Sequence, residues 1–479
     1  MQTDQLLIAS NRGPVRFAYD ENGDLESRRG FGGLVTALGG ALQDEPGTWV
    51  SVALSDTDRR VAAEHPGTFE VDADGSRFRL SLVDPGYERF EAYYNRIANE
   101  LLWFTVHGMW NAPYEPHRPW SSDWRDGYLP VNRQVAEAVL EAGGDRPEVH
   151  LHDYHLLTAG RTIRAHWPEA PILSYIHTPW ARPRELAMLP DEVARDALEG
   201  LLQADVVVTS APEWSSALRR CTHETLGARL SGETVEHEWG RTRVTDVVLG
   251  VDETALVSAA DAPATREAGE RLDASRDGRR LIVRVDRTDL SKNIARGLQA
   301  FELLLERHPE HRERVQHLAI CNPSRQSVPA YRAYVEHCEQ LAARIAERFG
   351  EQTIDLRVVD DYPAAIAALQ RYDVLLANPV RDGTNLVAKE GPALNHADGV
   401  LVLSREAGAV TTLSGGAITV NPFDVEDQAA ALHLALTMDA GERAERANRL
   451  RGAVTIGAPE EWLGEQRRLL REAVEARRG

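Results

Sequence analysis

Three groups of residues in this 479-residue chain have types and spacings that could do chemistry. The first is Tyr372-Asp-Val-Leu-Leu-Ala-Asn-Pro-Val-Arg-Asp-Gly-Thr-Asn-Leu-Val-Ala-Lys-Glu390. A buried strand there runs into the turn Arg381-Asp382-Gly383, and a helix opens at about Asn385. Backbone N–H groups at a helix start form an anion site suited to a diphosphate. Glu390, one to two turns in, could reach ribose hydroxyls. The second group is a set of loops that each follow a predicted strand: Ser10-Asn-Arg12, Val285-Asp-Arg287 with Lys292 beyond it, and Pro323-Ser-Arg325. Arg suits bidentate phosphate recognition and Lys acts as a compact point charge. Several such loops around one cleft point to a substrate with more than one phosphate group. The third is His150-Leu-His-Asp-Tyr-His155. On a strand His150 and His152 share a face and could co-ligate a metal. With no Cys nearby and no carboxylate cluster at helical spacing, the segment reads instead as a strand end, with Asp153 opening a loop as a hydroxyl-binding or catalytic group.

Three other segments offer less. Arg29-Gly-Phe-Gly-Gly-Leu34 is not a dinucleotide fingerprint and does not follow directly on the first strand. It reads either as a glycine loop approaching a ligand or as a plain turn. Val71-Asp-Ala-Asp-Gly-Ser superficially matches a phosphatase nucleophile motif. The flanking Phe69-Glu-Val-Asp and Arg77-Phe-Arg-Leu-Ser-Leu alternate in polarity, as a half-exposed hairpin does, so the segment reads as a hairpin tip. Tyr19-Asp-Glu-Asn-Gly-Asp reads the same way.

The elements that must position these groups are short apolar runs: Leu6–Ala9, Val149–Leu151, Ile172–Ile176, Val206–Val208, Leu281–Val285, Leu318–Cys321, Val374–Ala377 and Val400–Leu403. Such runs read as strands buried on both faces, hence parallel sheets covered by helices. Amphipathic stretches at Val131–Ala142, Ile294–Arg307, Tyr331–Phe349 and Ala364–Arg371 supply the helices. The pattern predicts a doubly wound α/β protein. A polar stretch from about Asp252 to Arg280 separates two halves, giving domains 1–252 and 253–458. A charged amphipathic helix, 459–479, is expected to pack back toward the first domain. Ligands of open α/β sheets bind at the carboxyl ends of the strands, so two facing domains predict a deep interdomain cleft.

Composition excludes several classes of function. The net charge of −20 argues against nucleic-acid and anionic-membrane partners, which need basic surface. Only Lys292 and Lys389 are lysines among the 54 Lys and Arg residues, and both fall in segments read as anion-binding, Val285–Asn293 and Arg381–Glu390. Three unpaired cysteines, Cys221, Cys321 and Cys338, fit a reducing cytoplasm and no disulfide or zinc-finger framework. No apolar stretch approaches a transmembrane helix.

Together the segments resemble glycosyltransferase family 20, the trehalose-6-phosphate synthases, across nearly the whole chain. The resemblance rests on Ser10-Asn-Arg12, Gly32-Gly-Leu34, Tyr93-Tyr-Asn with Leu102-Trp103, His152-Asp-Tyr-His-Leu-Leu157, His177-x-Pro179, Arg287 with Ser291-Lys292, Ser324-Arg325, Arg381 to Glu390 and Asn421-Pro-Phe-Asp424. It implies a GT-B fold of two Rossmann-like domains and a retaining transfer of glucose from UDP- or GDP-glucose to glucose 6-phosphate. The acceptor phosphate would be clamped by Arg12, Tyr94 and Arg325, with Trp103 and Asp153 on the acceptor sugar. His177 and Asp382 would hold the transferred glucose, and Arg287 and Lys292 the donor diphosphate. Glu390 would take the ribose, the amides of Asn385, Leu386 and Val387 would assist, and the loop at Gly32 and Gly33 would close over the donor. The chain departs from the family at Arg287-Thr-Asp-Leu, Thr178-Pro-Trp180 and Thr384; these bear on donor-base preference and acceptor geometry.

For a retaining transfer, two carboxylates ~5 Å apart are the first candidates. Asp153 and Asp382 fall in different domains and are both assigned to hydroxyls. The expected mechanism is therefore front-face transfer, in which the departing diphosphate takes the acceptor proton and Arg287, Lys292, Asp153, His177 and Asp382 stabilise and orient. No cofactor or metal is expected for this chemistry, and the nucleotide sugar is a substrate. The rivals are a glucosyltransferase to another phosphorylated acceptor, a pseudo-glycosyltransferase coupling cyclitols, and an inert sugar-phosphate sensor. A homo-oligomer is left open.

Overall fold

Alternation of fully buried strands with amphipathic helices produces a two-unit α/β chain, seen in a computed structural model that describes residues 5–30, 38, 47–116, 118–144 and 147–478. One unit comprises Met1–Val248 with Pro459–Gly479, and the other Leu249–Ala458. The chain thus passes between units a few residues before Asp252.

The strands of the first unit are β1 (Gln5–Ser10), β2 (Val15–Tyr19), β3 (Leu25–Arg29), β4 (Gly47–Val52), β5 (Thr68–Ala73), β6 (Ser76–Val83), β7 (Pro147–His152), β8 (Ile172–Ile176), β9 (Val206–Thr209), β10 (Arg229–Ser231), β11 (Thr234–His237) and β12 (Gly240–Asp246). Ten form one sheet in the order β10-β11-β12-β9-β8-β7-β1-β4-β6-β5, and β2 and β3 form a separate hairpin. The pairings from β12 to β6 are parallel, while β5, β10 and β11 add antiparallel edges. The chain runs from β1 outward through β4 to β6, then returns to β7 on the other side of β1. The loops after β1 and β7 therefore flank a topological switch point, where such sheets bind ligands. Both segments read as hairpin tips lie between antiparallel partners, β2–β3 and β5–β6.

Helix Pro459–Arg478 belongs to this unit. Its Trp462 is fully buried, with the ring 4.9 Å from that of Tyr175. Arg467 pairs with Glu148 at 2.9 Å and Arg477 with Asp205 at 2.8 Å, so the helix is pinned to the starts of β7 and β9.

The second unit contains β13 (Arg280–Arg287), β14 (Val315–Asn322), β15 (Ile354–Val358), β16 (Val374–Ala377), β17 (Val400–Ser404) and β18 (Ile418–Val420), all parallel, in the order β15-β14-β13-β16-β17-β18. This is the Rossmann order, with its switch point between β13 and β16. Leu281, Val283, Leu375, Leu401 and Leu403 pack into one core layer, and Ile282, Val374, Leu376, Val400 and Val402 into the other. Both faces are covered, which is why these strands read as unbroken apolar runs.

Candidate active site

The carboxyl ends of β13 and β16 bring most of the expected donor residues together. After β13 the turn Leu290–Lys292 is capped by Asp289, whose Oδ1 accepts from the Ser291 amide at 3.2 Å. Asn293, at φ 61°, then reverses the chain into helix Ile294–Arg307 and donates to the carbonyls of Asn378 and Pro422 at 2.9 and 2.7 Å. This fixes Lys292 over the strand end. Its Nζ donates to Asp382 Oδ2 at 2.6 Å and lies 3.5 Å from Asp286 Oδ1. Asp382 also accepts from Asn385 Nδ2 at 3.1 Å, and Asn385 Oδ1 accepts from the Ala388 amide at 3.0 Å. One side chain thus takes a first-turn amide of helix Val387–Leu394 and orients the carboxylate. The helix begins two residues later than expected, so Glu390 sits in its first turn, and Asn385, Leu386 and Val387 form the approach to it.

The electrostatics follow from this crowding. Burial pulls the Lys292 ammonium down, but Asp382 and Asp286 together outweigh it and hold it above the ordinary range. Burial pushes Asp286 up against the opposing pull of Lys292 and Arg284. Burial also pushes Glu390 up to about 7, with Lys292 working against it.

Arg287 is exposed, its guanidinium 3.8 Å from the buried Asp289. Arg325, at φ 45°, donates to the same Asp289 at 3.0 Å and to the Tyr331 hydroxyl at 2.6 Å. The two arginines therefore share one carboxylate in the second unit, whereas Arg12 and Tyr94, grouped with Arg325 by resemblance, lie in the first.

In the first unit Arg12 is exposed just beyond β1, in a loop closed by Ser10 Oγ donating to the Arg12 carbonyl at 2.7 Å. Tyr93 anchors that loop through Asn11 Oδ1 at 2.9 Å, and the neighbouring Tyr94 stacks against His155 with ring centroids 6.0 Å apart. Asp153 follows β7 with φ 72°, and its Oδ1 accepts from the His177 amide at 3.2 Å. His177 Nε2 lies 3.1 Å from His152 Nδ1. Burial brings the His177 ring down to about 3 and drives His152 well below the histidine range. Trp103 is buried, its ring 4.0 Å from that of His107 and 5.8 Å from that of Tyr154. Residues Gly32 and Gly33 lie outside the described residues.

Several supporting residues escaped the sequence reading. Arg284 is fully buried and donates to Asp286 at 2.6 Å, to the Lys292 carbonyl at 3.0 Å and to Asn378. Gly297 makes room for it, since a Cβ there would stand 2.7 Å from the guanidinium. An Arg inside an apolar run is the signal that could have found this network, because a buried charge requires partners. Asp289 could have been found as the acidic cap of the Lys292 turn. Trp462, which backs the His152–His177 pair at 6.4 and 6.1 Å between ring centroids, leaves no local signal.

The sequence profile of glycosyltransferase family 20 matches residues 4–472. The chain is 31% identical over 474 residues to the trehalose-6-phosphate synthase of Mycolicibacterium vanbaalenii, covering 95% of this chain and 94% of that protein. It is 30% identical over 481 residues to the validamine 7-phosphate valienyltransferase of Streptomyces hygroscopicus subsp. jinggangensis, covering 97% and 94%. The crystal structure of a UDP-forming α,α-trehalose-phosphate synthase from Burkholderia xenovorans in complex with glucose 6-phosphate superposes with a TM-score of 0.84 at 27% identity, covering 98% of this chain and 100% of that one. The two Rossmann-like units are those of the GT-B class. Among the described residues no helix is long and apolar enough to cross a membrane.

Proposed function

The chain belongs to glycosyltransferase family 20, and on that premise we propose that it transfers glucose, with retention, from UDP- or GDP-glucose to glucose 6-phosphate, giving trehalose 6-phosphate and the nucleoside diphosphate. The observation that carries this reading is the cluster of Lys292, Asp382, Asn385 and Glu390 at the switch point of the second sheet. It offers a cation for a diphosphate, acceptors for sugar hydroxyls and a carboxylate for a ribose diol. The Burkholderia relative, named as UDP-forming and crystallised with glucose 6-phosphate, supports the same donor and acceptor.

In this reading Arg287 and Lys292 meet the charge that develops on the departing diphosphate, and the amides at 385–387 assist. The C1–O bond to the β-phosphate breaks, the acceptor oxygen bonds to C1 from the same face, and the acceptor proton passes to the leaving phosphate oxygen. His177 and Asp382 orient the glucose, while Arg12, Tyr94, Trp103, Asp153 and Arg325 serve the acceptor. Asp382 is already engaged by Lys292 and Asn385, which suits a hydroxyl acceptor better than a nucleophile. Catalysis then rests on charge stabilisation and orientation. No metal or cofactor is called for, because fixed cations take the leaving-group charge.

A second reading, transfer of a cyclitol unit to an aminocyclitol phosphate, is favoured by the 30% identity to the valienyltransferase. The deciding experiment is a matrix of UDP-, GDP- and ADP-glucose and a nucleotide-linked cyclitol against glucose 6-phosphate, glycerol 3-phosphate and an aminocyclitol phosphate, with products weighed by mass spectrometry. A trehalose 6-phosphate mass from glucose 6-phosphate is expected. Product only from the cyclitol pair would select the second reading, and no transfer with any pair would refute both.

A further inference from the structure

Four residues with metal-ligand chemistry gather at the amino edge of the second sheet, opposite the strand ends that hold Lys292 and Asp382. Helix Ile294–Arg307 ends at His308, the short turn Pro309–His311 follows, and the chain then enters β14. His433 stands on helix Val425–Thr437. The rings of His308 and His433 stack with centroids 3.6 Å apart and planes 15° apart. Glu310 Oε1 lies 3.3 Å from His308 Nδ1. One ligand atom each from His308, Glu310 and His433 lies within 4.8 Å of the other two.

Two imidazoles and one carboxylate are a donor set for zinc and its neighbours in the first transition row. With metal–ligand bonds of about 2.0–2.2 Å, two ligand atoms on a tetrahedral ion stand roughly 3.3–3.5 Å apart. The two imidazoles are stacked 3.6 Å apart, so ligation requires the rings to turn out of the stack until one nitrogen of each points at the ion beside Glu310. A fourth residue fills a further role. The buried His311 places its Nε2 3.0 Å from His433 Nδ1. A metal-bound imidazole usually engages its other ring nitrogen in such a bond, which fixes tautomer and ring orientation. With Nδ1 of His433 so engaged, its Nε2 is left to bind an ion.

We propose that His308, Glu310 and His433 form a binding site for a divalent transition-metal ion of the zinc class, with His311 as the outer partner of His433 and water completing the coordination. The ion would cross-link the end of helix Ile294–Arg307 to helix Val425–Thr437. Arg307 and Glu426 already bridge the same two helices at 2.5 Å, so the ion reinforces a contact that exists without it. None of the four residues takes part in the proposed transfer, so the site stands or falls independently of that reading. Binding to the folded state alone appears as added stability.

The test uses untagged full-length protein stripped with a chelator and titrated with zinc chloride against a chromophoric competitor. The variants are Glu310→Gln and the double substitution His308→Ala with His433→Ala. The wild type should bind one zinc more per chain than the double variant, and Glu310→Gln should weaken that zinc by about tenfold or more. Zinc should raise the Tm of the wild type and leave that of the double variant unchanged. Equal stoichiometry and affinity across wild type and variants would overturn the site. Glu310 is exposed, so its Gln variant preserves the fold and the test remains decisive if the histidine variants fold poorly.

Discussion

Lys292 Nζ donates to Asp382 Oδ2 at 2.6 Å, so the cation assigned to the leaving diphosphate and the carboxylate assigned to the transferred sugar are joined before either meets its substrate. Asp286 holds the same ammonium from the other side at 3.5 Å. A compact charge fits between two carboxylates where a planar guanidinium would not. This gives a physical reason for one of only two lysines to stand here in a chain otherwise furnished with arginine.

Lys292→Ala should therefore lower kcat by about a hundredfold or more, the usual scale for losing a charge that stabilises a leaving group. The KM for the acceptor should change little. Lys292→Arg should fail to restore turnover. Steady-state kinetics with varied acceptor checks both, and near-normal turnover in either variant would remove Lys292 from the proposed mechanism.

Glu390 offers a pH test. Its folded pKa, about 7, lies above the ordinary value of 4.5, so the folded protein binds the proton more tightly than the unfolded chain. The stability it contributes is full below about pH 4.5 and is lost as pH rises through about 7. For a half-buried group the loss should be on the order of 1–2 kcal/mol. Glu390→Gln should flatten that part of the urea-midpoint profile. Donor binding runs the opposite way, because only the carboxylate accepts from both ribose hydroxyls. The donor KM should fall between pH 6 and 8 in the wild type and stay high and flat in Glu390→Gln.

The His152–His177 pair should have one tautomer. Both rings are held neutral at pH 7 by burial. Among the described residues His152 Nε2 has no hydrogen-bond partner. A buried N–H without a partner is rarer than an under-used acceptor. The proton of His152 therefore sits on Nδ1, donates to His177 Nε2, and leaves the His177 proton on Nδ1. Nitrogen-15 chemical shifts of the labelled protein should report a protonated Nδ1 in His177, and a protonated Nε2 would reverse the assignment. His152→Phe should raise the donor KM by about tenfold, the scale of one buried hydrogen bond of 1–2 kcal/mol.

What the sequence made legible follows from which forces are local. The eight apolar runs lie within eight of the strands because burial on both faces leaves its mark residue by residue. Strand β4, Gly-Thr-Trp-Val-Ser-Val, went unread because Thr48 and Ser51 break the apolar run, although both are fully buried. The anion-binding loops were legible as types, since Arg and Lys after a strand need no tertiary knowledge to be noticed. Their wiring was not. Arg284 reads as an interruption of the run Leu281–Val285, and only the approach of Asn378 from the end of β16 shows why a charge is tolerated there. The sharing of Asp289 by Arg287 and Arg325, and the backing of His177 by Trp462, join residues far apart in sequence and have no periodicity to betray them.

The other lysine separates fold from chemistry. Lys389 is fully buried and donates to the carbonyl of Leu249, the first residue of the second unit, at 2.7 Å. Among the described residues no carboxylate pairs with it, and burial lowers it from 10.5 to about 8. The unfolded chain therefore holds the proton more tightly between about pH 8 and 10, and the lysine's contribution is present above about 10 and lost as pH falls through about 8. At pH 7 the charged form should cost up to about 3 kcal/mol relative to a neutral amine, partly offset by the bond to Leu249. Lys389→Met removes both effects. Its stability at pH 7 should lie within about 1–2 kcal/mol of wild type, since replacing a buried charge by a matching apolar chain is often neutral or better. Between pH 7 and 10 the wild type should gain on the variant, read as a growing difference in urea midpoint. A constant difference across that range would show that folding leaves the proton affinity of Lys389 unchanged, and the burial argument for this lysine would fail.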